Sequence, residues 1–159
     1  MQDIRIGHGI DIHPFAEGRR CVLGGVEIAT PRGLQGHSDA DVLVHALIDA
    51  VLGALGERDI GTLFPDHDSQ YKDADSCRLL ALVWRRARSS GWSLGNADIT
   101  VLAEAPKLKP YVPQMIEKLA AVLECSADRI AIKATTTERL GFVGREEGVL
   151  ASAVVLLRR

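Results

Sequence analysis

Apolar residues recur at every second position near the start of the chain. Ile4, Ile6, Ile10 and Ile12 alternate with polar or small residues, the period-two pattern of a half-buried strand over 5–13. A loop at 14–20 leads to Cys21-Val22-Leu23, Gly24-Gly25 and Val26-Glu27-Ile28, which predict a hairpin with the glycine pair at a tight turn. Thr30-Pro31-Arg32-Gly33 then breaks structure. Beyond it the period changes. Leu43, Ala46, Leu47, Ala50, Val51 and Ala54 form a helical stripe, with Ser38 as N-cap, Asp41 completing a capping-box pattern, and an end near 53–56. A second helix is predicted over 77–90, capped by Asp75 or Ser76 and stopped at Gly91. Next come a strand over 98–102, a third helix over 112–124 with Met115, Leu119, Val122 and Leu123 inward, and strands over 129–134 and 148–157. No repeat, linker or low-complexity run interrupts this order. It predicts one domain over 1–159, an α/β (α+β) sandwich with a mostly antiparallel mixed sheet and helices on one face.

Composition narrows the function. The chain has 159 residues, 47% of them hydrophobic, enough for a core. A net charge of -2 and 4% aromatic residues give neither a basic footprint nor a stacking platform for nucleic acid. No stretch has the layout of a signal peptide or the length of a membrane span, and Cys21, Cys77 and Cys125 lack any metal or redox spacing. The expectation is a cytoplasmic protein with no nucleic-acid or membrane partner.

Side chains two apart on a strand share a face, so Asp11 and His13 project together, and His45 lies about two turns into the first helix. One carboxylate and two imidazoles bind zinc while leaving a fourth position open. The plainer reading stands beside it: Asp-x-His pairs are common on strands, and a histidine on an amphipathic helix is more often packed than ligating. His37 and Ser38 precede a helix N-terminus, where free N–H groups suit an anion, although Ser38 also serves as a cap. Asp39 and Asp41 read as capping acids, with Asp41 a candidate support for His45. Thr135-Thr136-Thr137-Glu138 offers hydroxyls for phosphate and a hard oxygen ligand for magnesium or manganese, or else ordinary strand-forming threonines. The polar loop over 64–72 suits a mobile lid or plain solvated charge.

Five blocks occur together and in order: Gly7-His8-Gly9-Ile10-Asp11-Ile12-His13; His37-Ser38-Asp39-Ala40-Asp41 with His45; Asp59-Ile60-Gly61-Thr62-Leu63-Phe64-Pro65-Asp66; Ala105-Pro106-Lys107; and Lys133-Ala134-Thr135-Thr136-Thr137-Glu138 before Leu140-Gly141-Phe142. Across almost the whole chain they resemble the 2-C-methyl-D-erythritol 2,4-cyclodiphosphate synthase family of the non-mevalonate isoprenoid pathway. The resemblance implies a homotrimer, sheets packed around a threefold axis, with sites shared between subunits. It implies Zn2+ on Asp11, His13 and His45, and a second divalent cation, Mg2+ or Mn2+, on Glu138. Catalytic transition-state roles fall on His37 and Thr136, phosphate contacts on His37, Thr135 and Thr136, and substrate contacts on Ser38 and Thr137. Asp59, Ile60 and Gly61 match a ribose site. Phe64, Pro65, Asp66, His67 and Asp68 match contacts to methylerythritol. Ala103, Glu104, Ala105, Pro106, Lys107, Leu108 and Lys109 match a cytosine pocket read by backbone groups, with Lys109 where a second apolar residue is expected. Phe142 and Arg145 match positions near the axis or the phosphates.

The implied reaction closes 4-diphosphocytidyl-2-C-methyl-D-erythritol 2-phosphate into a cyclic diphosphate and releases CMP. Two other classes compete. A zinc phosphohydrolase would use Asp66 or His37 as base; a trimeric scaffold with structural zinc would need a fourth protein ligand, for which Cys21 is the candidate.

Overall fold

A computed structural model describes residues 3–65 and 67–159. The first strand, β1 (Ile4–Glu17), runs past Pro14 instead of ending at His13. From Ile4 to Pro14 it pairs antiparallel with the last strand, and Phe15, Ala16 and Glu17 pair with Leu34, Gly33 and Arg32. The expected loop at 14–20 is therefore mostly strand, and the expected break holds a short strand. In order come β2 (Cys21–Leu23), β3 (Val26–Ile28), β4 (Arg32–Leu34), α1 (Val42–Leu55), α2 (Ile60–Leu63), α3 (Ser76–Ser89), β5 (Ser93–Leu102), α4 (Val112–Val122), β6 (Ile130–Thr135), α5 (Gly141–Gly144) and β7 (Gly148–Arg158). β2 and β3 form the expected hairpin, Gly24 and Gly25 taking φ of 58° and 71° at its turn.

The main sheet has the order β4-β1-β7-β5-β6, parallel only between β5 and β6. Alternation divides its faces. On the inner side Val149, Ala151, Ala153, Val155 and Leu157 of β7 and Ala97, Ile99 and Val101 of β5 are buried. On the outer side Ile4, Ile6, Ile10 and Ile12 are each about half or more exposed. α1 lies on the inner face of β1 and β7, and α3 packs on α1.

Gly7 and Gly9 set how closely α1 approaches. A Cβ at Gly9 would stand 2.1 Å from the Ala46 carbonyl oxygen, and one at Gly7 1.8 Å from that of Ala50. Only backbone without side chains lets helix and strand meet this way.

α1 is capped by Asp41, whose carboxylate accepts from Val44 N–H at 3.0 Å, not by Ser38. The same wholly buried carboxylate accepts from Gly24 and Gly25 N–H at 3.0 and 2.6 Å, tying the hairpin turn to the helix. Burial, with Asp39 nearby, pushes it up to about 6. His45 is thus one turn into the helix rather than two.

Candidate functional site

Asp11 and His13 leave β1 on its inner face, toward the first turn of α1, and His45 meets them there. Asp11 Oδ2 lies 2.9 Å from His13 Nε2 and 3.1 Å from His45 Nδ1, and the two nitrogens are 3.2 Å apart. Ligand atoms about 2.0–2.2 Å from a tetrahedral zinc stand about 3.3–3.6 Å from one another. The triangle therefore needs to open by only a few tenths of an ångström to grip such an ion. Among the described residues these three groups form the one cluster suited to a metal.

The ring nitrogens turned away from the triangle are also engaged. His13 Nδ1–H donates to the Gln35 carbonyl at 2.5 Å. His45 Nε2–H donates to Ser76 Oγ at 2.9 Å, with Ser38 Oγ at 3.1 Å. Ser76 donates its hydroxyl proton to Asp39, and that carboxylate also accepts from Ser76 N–H at 3.0 Å and Asp41 N–H at 3.2 Å. Such outer contacts fix which nitrogen offers its lone pair to a metal. His45 is therefore supported by Asp39 through Ser76. Asp41, the expected support, is spent on the cap and the hairpin.

Burial opposes ionisation of Asp11, but the hydrogen bonds from His13 and His45 outweigh it and hold the carboxyl well below the usual range. Burial likewise opposes charging of His13, and contact with Asp11 outweighs it in turn, raising the imidazole above its ordinary value.

The triad lines a cavity of about 220 Å³ together with His37, Ser38, Ile60, Gly61 and Phe64, and also Tyr71 and Leu79, which the sequence had not singled out. His37 Nε2–H donates to the Asp68 carbonyl at 3.1 Å, and Asp73 N–H to the His37 carbonyl at 2.9 Å. Phe64 packs edge-on to Tyr71. The 67–73 segment is thus fastened beside His37, with a 3-10 turn at Ser69–Tyr71. Asp66 lies outside the described residues. Pro65, His67 and the Asp68 carboxylate do not line the cavity, the last being held by Gln70. Asp59 caps α2, one oxygen accepting from the Thr62 N–H and hydroxyl, both at 2.8 Å. Asp49, one turn after His45, accepts from Ile60 N–H at 2.7 Å and so anchors this short helix to α1, a link no sequence signal announced.

Thr135 and Thr136 face elsewhere. With Ala103, Glu104, Pro106, Lys107, Leu108 and Lys109 they line a second cavity, of about 230 Å³, at the end of β5 and β6. The Ala105–Pro106 bond is cis. Thr137 and the backbone beyond it wrap around the Glu104 side chain, and Glu138 Oε1 accepts from the Thr136 hydroxyl at 3.1 Å. Phe142 and Arg145 line neither cavity; Arg145 is paired with Glu147 at 2.7 and 3.2 Å. The structure thus gathers Asp11, His13, His37, Ser38, His45, Ile60, Gly61 and Phe64 in one place and the 103–109 and 135–136 residues in another.

The sequence profile of the YgbB family matches residues 4–158. A 2-C-methyl-D-erythritol 2,4-cyclodiphosphate synthase from Geotalea uraniireducens is 57% identical over 98% of this chain and 99% of its own length. Among solved structures, the bifunctional IspDF from Campylobacter jejuni is 46% identical with a TM-score of 0.95, over 99% of this chain and 43% of that protein. The IspF of Plasmodium falciparum, solved as a CDP complex, is 35% identical with a TM-score of 0.85, over 97% of this chain and 95% of that one.

Proposed function

The chain belongs to the YgbB family, and on that premise we propose that it acts as a cyclodiphosphate synthase, a lyase of isoprenoid precursor biosynthesis. Its substrate is 4-diphosphocytidyl-2-C-methyl-D-erythritol 2-phosphate, and its products are 2-C-methyl-D-erythritol 2,4-cyclodiphosphate and CMP. The observation that carries this reading is the Asp11–His13–His45 triangle at the wall of a cavity shared with His37 and Ser38. The donor set and spacing fit zinc, and Glu138 fits a magnesium or manganese ion. When bound, these ions supply Lewis-acid charge neutralisation of the diphosphate.

An oxygen of the substrate's 2-phosphate forms a bond to the β-phosphorus, the bond from that phosphorus to the α–β bridging oxygen breaks, and CMP leaves with the electron pair. The attacking oxygen is already anionic, so no protein base is needed. Burial pushes the Cys21 and Cys77 thiols up to about 11 and about 12, so neither is a ready nucleophile. The work left to the chain is positioning and charge stabilisation. His37, its Nε2–H tied to Asp68, and Ser38 hold phosphate oxygens beside the triad. Thr135 and Thr136 hold the other end of the diphosphate, with Thr136 steadying the transition state. Gly61 and the free oxygen of Asp59 take the ribose, and backbone groups over 103–109 take the cytosine. Phe64 and its neighbours to Asp68 enclose the methylerythritol.

A substrate held by both groups of residues needs the two cavities to face each other. Their separation within one chain, together with the bare apolar face of β1, supports a homotrimer in which each site is built from two copies. Among the described residues, no helix is long and apolar enough to cross a membrane. A cytoplasmic location is the reading we adopt. Phosphorus NMR of the reaction mixture tests the chemistry: CMP with a cyclic diphosphate is expected, and CMP with a linear bisphosphate overturns the synthase in favour of hydrolysis.

A further inference from the structure

Within the second cavity, one side chain is engaged with the protein itself. Glu104 lies two residues past the end of β5, and all but 6% of its side chain is out of solvent. Its Oε1 accepts two hydrogen bonds from the opposite loop, from Thr137 N–H at 3.0 Å and Arg139 N–H at 3.1 Å, while the Thr137 hydroxyl, 3.2 Å away, donates to the Leu140 carbonyl at 2.7 Å. The other oxygen is turned to Arg139 Nε at 3.7 Å. These donors belong to a turn that few sequences adopt unaided, because Glu138 and Arg139 both have left-handed backbone, with φ of 53° and 66°. Successive N–H groups in such a turn converge to form an anion-binding nest. Here the anion is the chain's own carboxylate. The Arg139 and Thr137 N–H groups hold that carboxyl below its usual range.

We propose that Glu104 is a positioning residue: its carboxylate locks the turn carrying Thr136 and Glu138 onto the loop 103–109, so that base recognition and divalent-cation binding occur on one rigid unit. This rests on the reading of Glu138 as a cation ligand and of 103–109 as the cytosine pocket. The cross-link is short and specific. Ala103 N–H already donates to the Thr135 carbonyl at 3.0 Å, and Glu104 extends that contact past the end of the parallel β5–β6 pair. Without it, residues 137–139 lose the acceptor that offsets their unfavourable backbone angles, and Glu138 loses its fixed aim.

The test compares wild type, Glu104→Ala and Glu104→Gln as full chains. Amide hydrogen exchange at Thr137 and Arg139 reads the lock directly, and Mn2+ titration in the presence of CDP, followed by electron paramagnetic resonance, reads its consequence. Glu104→Ala is expected to speed exchange at both amides about tenfold or more and to weaken Mn2+ about 10- to 100-fold, with zinc content unaltered. Glu104→Gln keeps an acceptor oxygen of the same reach and is expected to restore both to within about threefold. Unaltered exchange in Glu104→Ala overturns the proposal. So does a Gln variant whose Thr137 and Arg139 amides exchange as fast as in the Ala variant, since an acceptor oxygen of the same reach would then hold neither N–H group. Wild type that fails to bind Mn2+ with CDP overturns the cation assignment to Glu138, and the coupling with it. Wild type and Glu104→Ala that bind Mn2+ alike overturn the lock alone.

Discussion

Gly9→Ala isolates what the glycine-rich strand does for the metal site. Gly9 has no left-handed backbone angle, so alanine meets no conformational objection there. The obstacle is space. The new methyl would stand 2.1 Å from the Ala46 carbonyl oxygen, 2.7 Å from Ala50 N and 2.9 Å from Asp49 Cβ. Two of these are helix backbone and cannot rotate aside, so α1 must retreat by about 1 Å to restore van der Waals separation. Overpacking of this kind costs about 1–3 kcal/mol, and a rigid backbone partner places it near the upper end.

Ala46 follows His45, so the same retreat carries the imidazole away from Asp11 and His13. Metal sites tolerate about 0.2 Å in ligand distance. A 1 Å displacement is therefore expected to cost about 10- to 100-fold in zinc affinity, as much as loss of a supporting contact. Gly53→Ala is the matched control: it lies on the same helix with nothing nearer than 3.9 Å, and should stabilise by about 0.5–1 kcal/mol. The assays are urea unfolding at fixed subunit concentration and zinc competition against a chelator. A Gly9→Ala protein within about 0.5 kcal/mol of wild type and with undiminished zinc affinity would refute the idea that this close seat aligns the triad.

Four further outcomes are expected. Ser76→Ala should weaken zinc about 10- to 100-fold while Ser76→Thr retains it, because the hydroxyl that receives the His45 proton is lost only in the first; equal affinities would remove Asp39 and Ser76 from the site. Zinc affinity should fall with pH, beginning above the ordinary imidazole value of 6.5, because Asp11 raises His13 in the metal-free protein. Stability of the metal-free form should run the other way, with the His13–Asp11 pair contributing fully below 6.5 and lost as pH rises through the raised value; parallel trends would contradict this. Glu138→Ala should spare zinc and abolish magnesium-dependent turnover, whereas undiminished activity would take Glu138 out of the mechanism. Ile6→Asp with Ile10→Asp should yield monomers in sedimentation that keep zinc and lose activity, and an active monomer would reject a shared site.

The sequence reveals those parts of the fold that repeat. Alternation marks β1 and β7, and the apolar stripe of α1 ends at Gly56, which takes a left-handed C-cap. Four-residue helices such as α2 and α5 are too short to display a period. Between Ser38 and Asp41 three side chains are chemically able to cap α1, and the choice is made from outside the segment. Gly24 and Gly25 N–H groups recruit Asp41, while the His45 ring occupies Ser38. Spacing made the triad only a candidate beside a plainer reading, since strand parity fixes the facing of Asp11 and His13 but not of His45, and the family resemblance singled it out. Its support was not legible: Asp39, Ser76 and His45 come from three separate segments, and Ser76 beside the capping Asp75 looks like any helix start. Glu104 was similarly hidden, because backbone recognition by its loop gave its side chain no assignment.

The two halves of the proposed site are held in different ways, and this bears on how it is assembled. Asp11, His13 and His45 hang from β1 and α1, whose contact is fixed by backbone meeting backbone at Gly7 and Gly9. The turn bearing Thr136 and Glu138 sits past the end of β6 and is tied to the neighbouring loop by the Glu104 carboxylate. Each half is thus preorganised within its own chain, so association has little left to order inside either. What association must supply is their mutual placement, and the apolar outer face of β1 is available for that purpose. Positioning accounts for most of what a protein contributes to phosphoryl transfer. In the proposed shared site, much of the catalytic power would then be a property of the interface rather than of the separate chain.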